Sequence, residues 1–474
     1  MSDPGDSHGE TGATGSFNRR RFVRALGASG VVALAGCSGG GDGGDGSSDG
    51  GSSDGGDGSS DGSSNDGSDG SSDGASGDGA STDTASSTAA SGREVTYWTL
   101  FGGGDGETMR SMVESVNAET DLAVNRQRVP FGEYYDRLYT SLTGGEAPDV
   151  AVMHADRLVE YEDLVVPLTD HISTDAYADG ILNRVTVDDQ LLGAPLDTHP
   201  QGLWYNKDIF AEAGLDPENP PQSPEEFVSA CETIASETDY NVGQIHAGGL
   251  SMGWFHMSLR SRGTQILDEN NSPTFNNEDG VAVAEFYDRM VNEEGWIPQS
   301  SDEGWNAWNN GEAAWLVDGT WHLSVARGLD FDFGLAKPYM MPGSDDPVTS
   351  GNSHTLVVPR SQSRDEETLQ AAVDLIRNLT QDYNFQWGAN AGHLPASQAA
   401  LESEELRNTD TWADSLGTFY EMTTNGNVAY MPRTSNNGEY TTQIWQRLNA
   451  VRQDEMEPQE AIEAAAQGVN QVFR

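Results

Sequence analysis

The sequence predicts an α/β protein whose folded part divides into two domains with largely parallel sheets. Three observations carry that expectation. Short β-rich runs alternate with amphipathic helical runs from Glu94 onward, the pattern of layered α/β folds. About 380 of the 474 residues lie in segments able to fold, more than a single core usually serves. Everything before residue 93 has little to bury, so the fold begins late.

That leading part reads in two pieces. In residues 1–36, Arg19-Arg20-Arg21-Phe22-Val23-Arg24 precedes an apolar run from Ala25 to Gly36, the layout of a twin-arginine export signal. The run is shorter than the roughly 20 residues of a bilayer span, so it reads as a cleaved hydrophobic region. Leu34-Ala35-Gly36-Cys37 resembles a lipobox, which makes Cys37 the expected lipidation site. Residues 37–92, after the cysteine, are almost entirely Gly, Ser, Asp, Ala and Thr. Without apolar surface to offset chain entropy, this segment is expected to be a disordered tether, with a coil span on the order of 40 Å. A lipid on Cys37 would hold the folded part at the outer face of the cell membrane, and one acyl chain alone binds marginally.

The formal net charge is −51. The tether holds eleven aspartates and the segment through Cys37 is about +1, which leaves about −41 on residues 93–474. Such self-repulsion opposes a compact state unless salt screens it, and at 1 M the screening length is about 3 Å. Only two lysines occur, Lys207 and Lys337. The acid is spread along the whole chain, so the composition predicts adaptation to high salt and no nucleic-acid partner. With Cys37 lipidated, Cys231 has no cysteine to pair with and reads as a small core residue.

Along the fold, Glu94-Val95-Thr96-Tyr97-Trp98 is the first predicted strand. Gly102-Gly103-Gly104-Asp105-Gly106 lacks the Lys-Ser/Thr pair of a phosphate loop and reads as a strand-to-helix turn at a cleft rim. Met109, Met112, Val113 and Val116 recur at helical spacing. Asp149 to Met153 reads as a buried strand after Pro148. Ser223-Pro224-Glu225-Glu226 has capping-box spacing and Pro at the first helical position. Pro458 to Phe473 is an alanine-rich amphipathic helix.

Two blocks carry a family resemblance. One is Leu203-Trp204-Tyr205-Asn206-Lys207-Asp208-Ile209-Phe210-Ala211-Glu212-Ala213-Gly214-Leu215, continuing to Pro220-Pro221 and Ser223 to Phe227. The other is Asn309-Asn310-Gly311-Glu312-Ala313-Ala314-Trp315, continuing through Val317 to Trp321. With Ala147-Pro148-Asp149-Val150 and Gly193-Ala194-Pro195-Leu196, the chain from about Val95 resembles the extracellular solute-binding proteins of ABC importers, in particular the maltose-binding-like sugar binders. The resemblance implies a two-lobed fold of the periplasmic-binding-protein type (type II), a ligand cleft between the lobes and closure about a hinge. By analogy lobe one comprises 93–196 and 338–380, and lobe two 197–337 and 381–474. The crossings then fall near Ala194–Thr198, Leu335–Tyr339 and Arg377–Tyr383. The implied partners are a sugar and the membrane permease, with the protein a monomer, no enzyme, and neither cofactor nor metal.

A neutral sugar presents hydroxyls at its edge and C–H groups on its faces, so its site needs planar polar groups and aromatic rings. The chain has 11 Trp. The resemblance points to Asp156 and Arg157 behind the Met153 strand, where open α/β sheets place ligands; a strand-end salt bridge suits Arg157 equally. Asp197 and His199 fall in the first crossing, Asp197 serving equally as a hinge cap. Trp254 matches a stacking position and suits the core equally. Trp305 and Trp308 share a helical face, one toward the cleft and one packed. Trp321 matches the family's most recognisable stacking aromatic. Trp98, Asn352, His354, Tyr430 and Arg433 complete the set, with a plain turn as the alternative for Asn352 and His354. The same fold with a polyamine, anion or sugar phosphate as ligand, and an anchored glycan-acting enzyme, are the alternatives.

Overall fold

The structure is a computed structural model that describes residues 92–344 and 346–474. The export signal, Cys37 and the tether through Ser91 lie outside the described residues. Among the described residues no helix is long and apolar enough to cross a membrane.

The strand Arg93–Thr99 alternates, burying Val95, Tyr97 and Thr99. It pairs in parallel with both Leu122–Arg128 and Val150–His154. The helix between the first two strands, Gly103–Glu119, buries Met109, Met112, Val113 and Val116 against them, as their spacing requires. His354–Pro359 enters the same sheet antiparallel to Val150–His154, and Val165–Val166 and Ala194–Pro195 pair with it. Helix Glu366–Arg377 completes this lobe's core with Ala371, Ala372, Leu375 and Ile376.

The second lobe is organised by one long strand, Asp197–Asn206, in which all ten residues are buried. Its first half is polar and its second half, Leu203 to Tyr205, is apolar. Every neighbour of this strand runs antiparallel to it: Ala313–Gly319, Phe333–Ala336, Thr349–Asn352 and Leu394–Pro395. The sheets are therefore mixed, where the helix–strand alternation predicted largely parallel ones. A strand that leaves one lobe to enter the other meets returning segments head-on, and that reverses the local polarity. Pro200, which cannot donate to a ladder, faces Gly351 in this strand.

Helix Pro224–Glu237 starts as predicted, with Ser223 Oγ accepting from the Glu226 amide at 3.1 Å and Pro224 in the first turn. Glu226 reaches back to the amide of Gln222 rather than of Ser223, one residue beyond a standard capping box. Cys231 on this helix is buried, and burial pushes its thiol pKa up. Helices Asn437–Arg452 and Pro458–Val472 close the lobe with Tyr440, Ile444, Leu448, Ile462 and Val469.

The core of lobe one holds residues between Val95 and Leu196 together with Leu356 to Ala396, including Trp387 and Ala391. Thr349–Asn352 belongs to the lobe-two sheet. The second crossing therefore lies at Ser353, not at Leu335–Tyr339, because Asn352 pairs with His199 while His354 pairs with His154. The third runs from Ala391 to Ser397, not at Arg377–Tyr383, because Leu394–Pro395 joins the start of the long strand while Ala391 and Ala396 still pack in the lobe-one core.

Candidate functional site

Each of the three crossings delivers a histidine or an aspartate to one buried point. Asp197 and His199 start the long strand, His354 follows the second crossing, and His393 sits in the third. The Asp197 carboxylate accepts from His199 Nδ1 at 2.9 Å, His354 Nδ1 at 2.7 Å, the His354 amide at 2.8 Å and Trp387 Nε1 at 2.8 Å. Burial opposes its charge, but His354 and His199 outweigh burial and hold it well below the usual carboxylate range. Burial likewise outweighs Asp197 at His354 and lowers that imidazole's pKa well below its ordinary value.

His393 is placed by a different set. Its Nε2 lies 3.1 Å from Asp105 Oδ2 and its Nδ1 2.7 Å from Thr320 Oγ1. Its ring lies flat on Trp387, with centroids 4.9 Å apart at 8°. Burial alone would lower its pKa, but Asp105 and Asp197 reverse that and raise it. His154, at the end of the Val150–His154 strand, faces the same point, 4.9 Å from His354 by ring centroids. The Tyr135 hydroxyl accepts from the His154 amide at 3.0 Å and lies 2.6 Å from His154 Nδ1. Burial, then His199, pushes His154 down to about 4.

The two lobes meet around this floor. Gly104 in the first turn needs its missing side chain, since a Cβ there would come 2.4 Å from Ser324 of lobe two. Asn437 Nδ2 donates to Asp156 Oδ2 at 3.1 Å, and the Gly438 amide to Glu160 Oε1 at 2.9 Å. Arg433 donates to the carbonyls of Arg184 and Thr186 at 2.8 and 3.0 Å, while Arg184 donates to the Met431 carbonyl at 2.7 Å. These bonds span the lobes and describe a closed arrangement. A recess of about 610 Å³ lined by Arg327, Ala389, Thr411 and Asp414 has no residue in common with this floor.

The structure places the expected residues unevenly. Asp197, His199 and His354 come together at the floor, and Trp321, half-buried, meets the His199 ring edge-on at 5.8 Å. Tyr430 is half-buried beneath the Arg184 guanidinium. Asp156 lies at the lobe junction. Arg157 pairs with Glu160 and stacks over Tyr135 at 4.5 Å, and Arg433 is committed to backbone carbonyls. Asn352 ends the strand Thr349–Asn352 opposite His199, and its side chain accepts from the Ser353 amide. Trp254 packs on Tyr287 at 5.0 Å inside the lobe-two core. Trp308 is fully buried and donates to His322 Nε2, while Trp305 is half-buried beside His246. Trp98 borders a surface recess with Asp136, Arg137 and Thr140. Six tryptophans, at 204, 254, 296, 308, 315 and 387, are fully buried, so tryptophan abundance in this chain mostly reports packing.

Sequence reasoning missed His154, His393, Asp105, Trp387 and Tyr135 as members of the floor. His154 was legible as the residue after a buried strand. His393 carried no signal, because its partners Thr320, Asp197 and Asp105 are 73, 196 and 288 residues away.

The profile of the bacterial extracellular solute-binding protein family matches residues 111–442. An arabinooligosaccharide-binding protein of Halalkalibacterium halodurans is 25% identical over 253 residues, covering 50% of this chain and 55% of the relative. A lactose-binding protein of Rhizobium radiobacter is 24% identical over 318 residues, covering 63% and 73% respectively. Among solved structures, a cyclic alpha-maltosyl-1,6-maltose binding protein from Arthrobacter globiformis superposes with a TM-score of 0.68 at 23% identity, over 81% of this chain and 99% of that one.

Proposed function

This chain belongs to the bacterial extracellular solute-binding protein family, and we propose that within it the protein is the sugar- or oligosaccharide-binding component of an ABC importer. The observation that carries the reading is the cleft floor. Trp321 offers a half-buried aromatic face beside His199, and His154 adds a neutral polar edge, which are the two kinds of surface a sugar needs. Ligand would stabilise the closed form because only that form touches it from both lobes. A permease recognising the closed form would then receive the cargo.

A preference for an anionic solute is less well supported, since Arg433 spends its guanidinium on two carbonyls. The relatives are named as binding proteins, and no turnover of oligosaccharide is expected from the purified chain. The twin-arginine signal, the lipid on Cys37 and the monomeric state belong to the same reading. Detergent-phase partitioning of the membrane fraction, lost in Cys37→Ala, tests the anchor. The charge of about −41 on residues 93–474 supports a salt-adapted protein, so assays belong in molar KCl.

Tryptophan fluorescence and thermal shift against an oligosaccharide panel test the ligand class. A cognate sugar at 100-fold excess over Kd stabilises by about 2.7 kcal/mol. Trp321→Ala is expected to abolish that shift with an unchanged far-UV spectrum. Full sugar affinity in that variant would sink the cleft assignment.

A further inference from the structure

We infer that the three crossings converge on a divalent transition-metal site with Asp197, His199, His354 and His393 as ligands. One ligand atom from each of these four residues lies within 4.8 Å of the other three, and all four residues are buried. Three imidazoles and one carboxylate are the donor set that Zn²⁺, Co²⁺ or Ni²⁺ takes.

The donors are already aimed. His199 Nδ1 and His354 Nδ1 lie 2.9 and 2.7 Å from Asp197 oxygens, and His393 Nδ1 lies 3.7 Å from Oδ2. A tetrahedral site with bonds of about 2.0–2.1 Å has edges of about 3.3 Å, so the four ligand atoms, which lie within 4.8 Å of one another, draw together by up to about 1.5 Å when the ion binds. His199 and His354 can move their ring proton from Nδ1 to Nε2, which frees Nδ1 without changing charge. His393 has its far nitrogen beside Asp105 and its ring clamped on Trp387, the outer-sphere arrangement that orients metal-binding histidines.

Charge supplies a second, independent argument. Asp105 is 8% exposed and its Oδ1 has no partner. Among the described residues, the ion-pair partners of both Asp105 and Asp197 are histidines, with no Lys or Arg. Buried carboxylates ordinarily need such a cation, and a divalent ion supplies it. Its ligands come from all three crossings, so a bound metal ties together the segments about which the lobes hinge.

Metal-stripped full-length protein in molar KCl is titrated with Co²⁺, read by its visible absorption, and with Zn²⁺ against a chromophoric chelator. One tightly bound equivalent is expected. Asp197→Asn, and the size-conserving pair His199→Gln with His354→Gln, should each weaken binding at least 100-fold at an unchanged far-UV spectrum, while His171→Ala binds as wild type. No binding by wild type, or equal binding by wild type and the His199→Gln/His354→Gln double variant, overturns the site. The second of these results would assign the ion to the acidic surface. Sugar titration with EDTA present is read separately, so a failed metal site and a failed sugar assignment are distinguishable.

Discussion

Arg452 shows how much one side chain can hold in this chain. It is fully buried at the end of the helix Asn437–Arg452. Its guanidinium donates to the carbonyls of Ile245, Pro298 and Gln299 at 2.6–2.8 Å, and to the Tyr287 hydroxyl at 3.2 Å. The fork thus satisfies acceptors on a strand and a loop at once, which suits Arg and not Lys. Arg452→Met keeps the bulk and strands those acceptors, each costing about 1–3 kcal/mol. The expected loss is at least about 3 kcal/mol, seen as a lower denaturant midpoint at unchanged slope. A loss below 1 kcal/mol would mean that water reaches these carbonyls. In the sequence Arg452 is indistinguishable from the half-buried arginine at 447, since only the packed loops reveal its partners.

At the scale of elements, closure rests on a helix end. Helix Asn437–Arg452 presents its N-terminus to lobe one, where Glu160 accepts from the Gly438 amide and Asp156 from Asn437. Carboxylates at a helix N-terminus gain about 0.3–2 kcal/mol from the aligned peptide dipoles. Arg157 holds Glu160 in place from the other side. Glu160→Gln removes the charge and keeps the shape, so sugar affinity is expected to fall several-fold and the ligand-free radius of gyration to rise. Titration and small-angle scattering measure the two effects. An unchanged radius with weaker binding would mean that Glu160 acts on the ligand directly. Much of this scale was legible: the helices at Gly103, Pro224 and Pro458 follow from spacing and caps. The junction was not, because Asp156 and Asn437 are 281 residues apart.

Over the whole molecule, acid should loosen the fold through His256. This residue is buried against Ser350 Oγ at 3.1 Å, and burial, then Arg260 and Arg184, pushes it from 6.5 down to about 3. The unfolded chain therefore takes up a proton below about 6.5 that the folded chain refuses until about 3. Stability is fully present above 6.5 and is lost as pH falls through that window, by up to about 1.4 kcal/mol per unit. Thermal unfolding between pH 7 and 5 in molar KCl, where surface repulsion is screened, should show that slope, and His256→Asn should reduce it while the shares of His154 and His354 remain. A slope identical in the variant would place the acid sensitivity in other groups.

The sequence by itself determined the order of strands and helices, the acidic surface and the two blocks that carry the family likeness, because periodicity, composition and short motifs are local properties. It brought Asp197, His199, His354 and Trp321 into view as members of one site. Only the tertiary structure decided where the second and third crossings run, which tryptophans pack and which stay open, and that His154, His393 and Asp105 join the same floor. Those outcomes depend on which distant segments pair with the Asp197–Asn206 strand. Such pairing is a balance of packing and buried charge that no single stretch of chain contains.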